Sequence, residues 1–341
     1  MDFNAIEHNI GIIREKACGA KIYAVVKANA YGHGLLPIAE RISDKVCGFA
    51  VARPDDAFKL RAAGIKNEIL ALCGFDNASA EELILSDITV TISSYEEYFS
   101  LSDTAERLKK TVFAHIKIDS GLNRLGVKTR AEYDKILAVQ NPHVCITGVF
   151  THYATADCGD EYFSMQRGRF SAFPKPFDTM VHSANSAAMA RGVTEGGVRT
   201  GIMLYGYGTP LGQIPALSVD AAILALKTLC AGEKLGYNIT YTAPRTAVIA
   251  VIGLGYGDGY PRLINKGYVL INGVKCPILG TVCMDMLTAD VSGAGEIIPG
   301  RTRALILGGR VTADDIAGWA GTISYDILTK ICPSGKRVYI N

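Results

Sequence analysis

The sequence predicts an α/β fold: a (β/α)8 barrel of the TIM type, followed by a mostly β C-terminal domain. Two observations lead to this prediction. Up to about residue 213, nearly continuous apolar runs alternate with amphipathic helical stretches, as expected for parallel strands that are buried on both faces. From about residue 214, short apolar runs separated by turn signals replace that alternation. We therefore predict two domains, residues 1–213 and residues 214–341.

Eight runs rich in Val, Ile and Phe are the predicted strands of the barrel. They are KIYAVVK (21–27), VCGFAVA (46–52), EILALCG (68–74), ITVTIS (88–93), FAHIKID (113–119), CITGVF (145–150), DTMVHSA (178–184) and VRTGIMLYG (198–206). Helical patterns lie between several of them; PDDAFKLRAAG (54–64) is one, and Gly64 favours its end. The pattern alone also allows a doubly wound open sheet.

Polar or reactive residues at the C-terminal ends of many predicted strands favour the barrel over the open sheet. They are Lys27, Arg53, Lys117, Asp119, His152, Ser183, Asn185 and Arg199. A barrel gathers its active site at that rim, whereas an open sheet concentrates such residues at one switch point.

The C-terminal domain is predicted from short apolar runs and from turn signals such as Asn272-Gly273. The runs are VDAAILAL (219–226), TAVIAVIGLGY (246–256), GYVLINGVKCPILG (267–280), MLTADVS (286–292) and RALILGG (303–309). A pair of helices is expected after them, over residues 312–321 and 322–331, with Thr312 as the N-cap of the first.

Composition excludes several classes of protein. Lys and Arg number 35 against 33 Asp and Glu, so the formal net charge of +2 gives no reason to expect binding to nucleic acid or to an anionic membrane surface. The nine cysteines are scattered and contain no CxxC pair, which argues against disulfides and metal sites and favours a reducing cytoplasm. The N-terminus has no signal-peptide pattern, and no apolar run is long enough to span a bilayer.

Several strand-end residues have both a chemical and a plain structural interpretation. Lys27 closes a strand, where partial desolvation would free its amine for a Schiff base, but a solvated strand end is equally ordinary. Arg124 could bind a carboxylate or a phenolate. The structural alternative for this segment is an ion pair between Asp119 and a neighbouring residue. Ser186 and Gly201 suit a phosphate site or simply a tight turn. The pattern therefore predicts a barrel enzyme without naming its reaction.

Beyond these single residues, a series of segments resembles the bacterial alanine racemase family over nearly the whole chain and in the same order. They are AVVKANAYGHG (24–34), HIKIDSGLNRLG (115–126), GVFTHYATAD (148–157), HSANSAA (182–188), VRTGIMLYG (198–206), GYNITYTA (236–243), GLGYGDGYPR (253–262), CMDM (283–286) and GTISYDIL (321–328). The resemblance implies interconversion of L- and D-alanine with pyridoxal 5′-phosphate, which supplies D-amino acid for peptidoglycan.

The resemblance also implies roles for residues of the barrel. Lys27 would be the catalytic lysine that holds the cofactor, and Arg124 would contact the cofactor phenolate and the substrate carboxylate. Lys117 matches the position that is carbamylated in many members. The remaining cofactor-binding residues implied in this way are Tyr31, His152, Asn185, Ser186, Arg199, Gly201, Ile202 and Tyr325.

A homodimer with shared active sites is implied as well. Tyr237 would be the second catalytic base, on the face of the substrate opposite Lys27, and would come from the partner subunit. Tyr256, Met284 and Asp285 would come from the partner too and line the substrate site.

Other activities stay open at this point. A serine or broad-specificity racemase is the first alternative, including the catalytic domain of a membrane-attached serine racemase, because the resemblance starts inside the family's first segment. The decarboxylases of basic amino acids share the architecture, but the match at Tyr237 and Arg199 argues against them. Non-catalytic barrel proteins that carry the cofactor lack the C-terminal domain.

Overall fold

The computed structural model describes residues 1–139 and 141–341, which form two compact units. The barrel unit comprises Ala5–Ala30 and Gly34–Ile214, and the β unit comprises Met1–Asn4, Tyr31–His33 and Pro215–Asn341. Two short segments before residue 213 thus belong to the β unit. The backbone of Phe3 donates a hydrogen bond to Ile340, and a Cβ added to Gly32 would lie 2.2 Å from the carbonyl oxygen of Leu328, so both segments pack closely within that unit.

The barrel unit is built on a parallel sheet of nine strands. In chain order they are β1 (Lys21–Val25), β2 (Gly48–Val51), β3 (Glu68–Ala71), β4 (Thr89–Ile92), β5 (Val112–Lys117), β6 (Val144–Phe150), β7 (Met180–His182), β8 (Ala184–Asn185) and β9 (Gly197–Thr200). Their order in the sheet is β7-β6-β5-β4-β3-β2-β1-β9-β8. Most of their residues are buried, because helices cover the outer face and side chains fill the inner one.

Strands β7 and β8 explain how nine strands correspond to eight predicted ones. The sequence predicts one strand over residues 178–184, whereas the structure has two short strands flanking Ser183. The first pairs with β6 and the second with β9, so this stretch of chain joins the two ends of the sheet. The last predicted run also divides: β9 ends at Thr200, and Ile202–Tyr205 is a 3₁₀ turn that ends at the left-handed Gly206.

In the part of this unit that the structure describes, eight helices flank these strands. They are α1 (Phe3–Ala17), α2 (Leu35–Ile42), α3 (Pro54–Ala62), α4 (Asn77–Leu85), α5 (Tyr95–Leu108), α6 (Arg130–Ala138), α7 (Glu161–Ser171) and α8 (Ser186–Ala190). Side-chain caps begin several of them: Ser94 accepts from the backbone N–H of Glu97 at α5, and Thr129 accepts from Glu132 at α6.

The β unit contains a closed antiparallel barrel of six strands. The strands of this unit are β10 (Val219–Leu229), β11 (Lys234–Leu235), β12 (Tyr241–Thr242), β13 (Ala247–Ile252), β14 (Tyr268–Ile271), β15 (Val274–Leu279), β16 (Leu287–Asp290) and β17 (Arg303–Leu307). The barrel order is β10-β13-β16-β15-β14-β17, and β11 pairs with β12. Asn272 and Gly273 both have positive φ in the turn between β14 and β15, as the sequence predicts.

Two helices complete the β unit, α9 (Ala313–Ala320) and α10 (Ser324–Lys330), with 3₁₀ turns at Tyr237–Ile239 and Tyr256–Asp258. Thr312 and Asp315 form the capping box of α9, so the predicted N-cap is confirmed. The predicted fold class, a TIM-like barrel followed by a mostly β domain, is confirmed. Within residues 1–139 and 141–341, no helix combines the length and the hydrophobicity needed to cross a membrane.

Candidate active site

Lys27 follows β1 at the C-terminal rim of the barrel and is half-buried. Desolvation lowers the pKa of its amine, and the cationic Arg124 and Arg199 lower it further, whereas Cys73 acts in the opposite direction. A lysine in this environment loses its proton more readily than one in water, which suits a nucleophile or a base.

The four residues after Lys27 form a left-handed turn. Ala28, Asn29, Ala30 and Tyr31 all have φ between 52° and 55°. A left-handed residue other than glycine costs about 1–2 kcal/mol, so the surroundings must hold this turn in place. The backbone N–H of Ala30 donates to Val26 at 2.8 Å, and the side-chain oxygen of Asn29 accepts from Leu35 at 2.8 Å. The backbone therefore changes direction directly after Lys27, at the end of β1.

Two further predicted residues, Lys117 and His152, share this electrostatic environment. Burial lowers the pKa of Lys117 to about 8, with Arg124 as the next cause. Burial lowers the pKa of His152 to about 3, and Arg199, Arg124, Lys117 and Lys27 each add to the effect. His152 is therefore neutral at physiological pH. Within the part of the chain that the structure describes, no carboxylate forms an ion pair with any of these four cations.

Asp119 does not form the ion pair that the structural interpretation expected. Its carboxylate accepts the backbone N–H of Gly121 at 3.0 Å and that of Asn123 at 2.9 Å. Asn123 is left-handed, with φ of 57°. Asp119 thus shapes the loop that carries Arg124 and leaves the guanidinium available for an anionic ligand.

Arg199 is buried, and its hydrogen-bond acceptors among the described residues are all neutral. Its Nη1 donates to the ring Nδ1 of His182 at 2.8 Å and to the carbonyl oxygen of the same residue. Its Nη2 donates to the carbonyl oxygens of Thr151, at 2.6 Å, and Ser183, at 3.3 Å. The guanidinium lies over the ring of Phe150, 5.0 Å from its centre. Burial lowers the pKa of Arg199 to about 10, so it stays cationic at neutral pH.

The Nε–H of Arg199 is the one N–H of this guanidinium without an acceptor among residues 1–139 and 141–341. A donor left open in this way suits a ligand that brings its own acceptor atom.

The candidate phosphate residues meet where β8 and β9 end. The side-chain oxygen of Asn185 accepts from Ala188 and caps α8. The hydroxyl of Ser186 accepts from the backbone N–H of Gly201 at 3.2 Å, and Ile202 follows directly as the first residue of a 3₁₀ turn. The two turns that end these strands are thereby joined, and small residues and helical N–H groups lie at one place.

Apart from Tyr237, the β unit contains the remaining candidate residues in two places. Tyr31 is buried, which raises the pKa of its hydroxyl, and its ring centre lies 5.9 Å from that of Tyr325. The second place holds Tyr256, Met284 and Asp285 on neighbouring loops. The backbone N–H of Gly257 donates to Met284 at 2.8 Å, and a Cβ added to Gly255 would lie 2.3 Å from the same carbonyl oxygen.

Tyr237 stands on a strongly bent turn and is exposed. Its side chain is 68% accessible, while the next two residues, Asn238 and Ile239, are left-handed. The hydroxyl of Thr281 donates to the carbonyl oxygen of Tyr237 at 3.4 Å and ties the turn to the next loop. Tyr256 and Met284 are also exposed, at 38% and 54%. Large apolar side chains exposed together suit a surface that another molecule covers.

Sequence reasoning missed a set of buried polar residues behind Arg199. They are Tyr23, His115, Thr151, Gln166 and His182, together with the partly exposed Glu68. One signal points to His115: it precedes Lys117 by two positions in β5, so both side chains lie on the same face of the strand. Among the described residues, no group of three or more His, Cys, Asp or Glu side chains is arranged to hold a metal ion.

Two family models match this chain, and together they cover most of it. The N-terminal domain of alanine racemase matches residues 1–209, and the C-terminal domain of alanine racemase matches residues 216–339.

Relatives and solved structures point to the same family. The alanine racemase of Carboxydothermus hydrogenoformans is 37% identical over 98% of this chain and 97% of its own length, and that of Streptococcus pneumoniae (strain 70585) is 36% identical over 97% and 96%. The alanine racemase structure from Clostridium difficile 630 superposes with a TM-score of 0.92, at 30% identity over 100% of this chain and 94% of that chain. The structure from Bacillus anthracis with bound L-Ala-P has a TM-score of 0.91, at 32% identity and the same coverage. The chain therefore belongs to the alanine racemase family.

Proposed function

We propose that this protein interconverts L- and D-alanine and so supplies D-alanine for peptidoglycan. Membership of the alanine racemase family supports the reaction. The observation that carries the proposal within the molecule is Lys27, whose desolvated amine lies at the barrel rim beside Arg124 and Arg199. An amine with a lowered pKa can both bind an aldehyde and exchange a proton near neutral pH.

The proposed cofactor is pyridoxal 5′-phosphate, and features of the barrel unit fit it. Its aldehyde suits Lys27, and its ring nitrogen suits the Nε–H of Arg199, which has no acceptor among the described residues. Its phosphate suits the turns at Ser186, Gly201 and Ile202. When bound, the cofactor acidifies the substrate Cα–H by withdrawing electrons into its ring.

The barrel residues then bind and orient the substrate. Arg124 would hold the substrate carboxylate, because no protein carboxylate in the described residues occupies its guanidinium. Lys27 would move a proton at its Nζ on one face of Cα. Arg199 keeps its own proton, so it would leave the ring nitrogen unprotonated, which limits electron withdrawal and side reactions. His152, neutral and surrounded by cations, would act as a supporting residue rather than as a base.

Racemisation needs a second group on the other face of Cα, and we assign it to Tyr237. The residue is exposed within the β unit, in keeping with a group that acts in the site of another subunit. Tyr256, Met284 and Asp285 would accompany it and border the substrate. The proposal therefore includes a homodimer in which each β unit completes the partner's site.

Three finer assignments belong to the same proposal. Alanine is favoured over serine because Tyr325 matches the alanine pattern and lies beside Tyr31, where both would hold the phosphate. Lys117, with a pKa of about 8, has an unprotonated fraction at neutral pH that can react with carbon dioxide, and the carbamate would brace Arg124. The scattered cysteines without paired spacing fit the cytoplasm.

The test is to purify the protein, record its absorption spectrum, and follow D-alanine and D-serine formation from the L-isomers by chiral chromatography. We expect an absorption band from cofactor whose aldehyde is bound to the lysine, and we expect D-alanine as a product. Both should be lost in Lys27→Ala. Lys21→Ala is the matched control, because Lys21 is exposed at the opposite end of β1. Faster turnover of serine than of alanine would move the assignment to a serine racemase. Bound cofactor without racemisation of either amino acid would overturn the proposed function.

A further inference from the structure

A continuous chain of four side chains runs through the barrel interior behind Arg199. Its first link is the hydrogen bond from Arg199 Nη1 to His182 Nδ1 at 2.8 Å. His182 Nε2 lies 2.8 Å from His115 Nδ1, and His115 Nε2 lies 3.4 Å from Glu68 Oε1. The other carboxylate oxygen of Glu68 accepts the hydroxyl of Tyr23 at 2.6 Å.

The Arg199 end of the chain determines the direction of its hydrogen bonds. A guanidinium can only donate, so His182 must accept at Nδ1 and donate from Nε2 to Nδ1 of His115. The proton of His115 is then on Nε2, and the 3.4 Å approach of this atom to Glu68 Oε1 is an electrostatic contact without a hydrogen bond. Burial lowers the pKa of His115 to about 3 and that of His182 well below its usual value, so both rings are neutral. Because Arg199 does not release its proton, the chain cannot conduct protons through that end.

The strands make room for these rings with glycines. A Cβ added to Gly148 in β6 would lie 2.5–2.6 Å from three ring atoms of His115, and one added to Gly48 in β2 would lie 2.8 Å from the ring of Tyr23. His182 is stacked between Phe150, at 4.8 Å, and Tyr23, at 5.5 Å. The rings are thereby fixed in place by packing, so the hydrogen-bonded order is a defined arrangement.

The chain has an electrostatic consequence for Arg199. Among the described residues, this buried cation contacts carbonyl oxygens and an imidazole but no carboxylate. The charge of Glu195 raises the pKa of Arg199 without such a contact, so its donors stay unoccupied by a carboxylate. Glu68, a third exposed at the N-terminal end of β3, lies at the far end of the two imidazoles, which its charge can polarise.

We propose that Glu68 is a positioning residue and a second remote counter-charge of Arg199 beside Glu195, held by Tyr23 and coupled to Arg199 through His115 and His182. The arrangement orients the guanidinium from behind and leaves its Nε–H available. The benefit to catalysis rests on the proposed function, in which that N–H faces the cofactor ring. The charge coupling between Glu68 and Arg199 does not depend on it.

A double-mutant cycle on the full chain without cofactor tests the coupling, with Glu68→Gln, Arg199→Gln and the double variant. We expect Glu68→Gln to lower the thermal midpoint by about 2–4 °C when Arg199 is present. With Arg199→Gln, the same change should leave the midpoint equal or higher, because the carboxylate then has no cation to balance. Equal falls in both backgrounds would overturn the proposal. Glu82→Gln, on the exposed side of α4, is the matched control.

Two further readouts keep the proposal testable if a variant does not fold or the reaction proves different. Nitrogen-15 spectra of the wild-type histidines should show both rings protonated at Nε2 only; a proton on either Nδ1 would overturn the chain. In the loaded enzyme, removal of the Glu68 charge should lower kcat by up to about tenfold, the size of a charge interaction at an effective dielectric constant of about 20. The KM for alanine should stay close to that of Glu82→Gln, and Tyr23→Phe should give a smaller fall in kcat.

Discussion

Burial, more than any neighbouring charge, sets the chemistry of the cationic residues at the barrel rim. Desolvation is the first cause of the lowered pKa at Lys27, Lys117 and Arg199, and neighbouring cations add to it in each lysine. The two lysines thereby become available in the neutral form that bonding to carbon requires. Arg199 starts from a much higher value and stays charged, so the same environment produces a base and a permanent donor side by side.

Lys117 should make stability depend on pH above neutrality. Its folded pKa, about 8, lies below the ordinary value of 10.5, so between these values the unfolded chain binds more protons than the folded chain. The free energy of unfolding should therefore rise with pH across that window, by up to about 3 kcal/mol relative to Lys117→Met. Urea unfolding of both chains in carbon-dioxide-free buffer at several pH values measures this. A difference that is constant from pH 7 to 10.5 would contradict it.

Residue types at strand ends could be predicted from the sequence, but their partners could not. Lys27 stands out because a charged residue closes its apolar run. Glu68 gives no such signal, since it begins its run and resembles a solvated strand start. The contact between the side chains of Glu68 and His115 depends on the pairing of neighbouring strands and on side-chain direction. Periodicity alone does not determine either of these.

At the scale of elements, glycines and left-handed residues place the site more than the regular strands do. Each predicted barrel strand has an observed counterpart, apart from the division at Ser183 and the last run, of which only the part up to Thr200 is a strand. The left-handed turn at Ala28–Tyr31 was not predicted, because alanine and tyrosine give no local preference for positive φ. Tertiary contacts impose that conformation, and local sequence cannot reveal them.

Because β6 packs closely against the ring of His115, adding one methyl group at Gly148 should lower the stability of the protein. Gly148→Ala should lower the free energy of unfolding by about 1–3 kcal/mol, because the added Cβ overlaps the ring. Gly168→Ala is the matched control in α7, where a Cβ meets nothing within 4 Å, and it should raise stability by up to about 1 kcal/mol. Chemical denaturation decides between them; equal effects of the two changes would refute the fit.

The left-handed turn beside Lys27 predicts an unusual response to glycine. Ala28 has φ of 53°, so Ala28→Gly should relieve strain and raise the free energy of unfolding by up to about 1 kcal/mol. Ala131→Gly, at an exposed position of α6, should instead lower it by about 0.5–1 kcal/mol. Thermal unfolding of both variants provides the measurement, and a loss in both would show that the turn is not strained.

At the scale of the molecule, the candidate residues are divided between two units of different architecture. The barrel unit holds the cations that suit the cofactor and the substrate carboxylate, and the β unit holds the exposed Tyr237, Tyr256 and Met284. A two-base racemase needs groups from both sets in one site. The homodimer in our proposal meets that need because each subunit supplies one set to its partner.

Mixing two inactive variants should restore activity if the sites are shared between subunits. Lys27→Ala and Tyr237→Phe should each lose almost all racemisation. In a mixed dimer, one site combines the intact Lys27 of one subunit with the intact Tyr237 of the other. Random mixing should therefore recover roughly a quarter of wild-type activity, because half of the dimers are mixed and half of their sites are complete. No recovery, with mixed dimers demonstrated by mass spectrometry, would place both residues in the same subunit.

Hydrogen exchange at Cα in deuterium oxide tests the central claim, that Lys27 and Tyr237 act on opposite faces of the substrate. The wild-type protein should incorporate deuterium into both L- and D-alanine. Tyr237→Phe should still exchange the α-hydrogen of one enantiomer, through Lys27. Racemisation and exchange of the other enantiomer should each fall at least about a hundredfold, because a general base usually contributes that much or more to the rate. Equal residual exchange of both enantiomers, or unchanged racemisation, would contradict the two-base account.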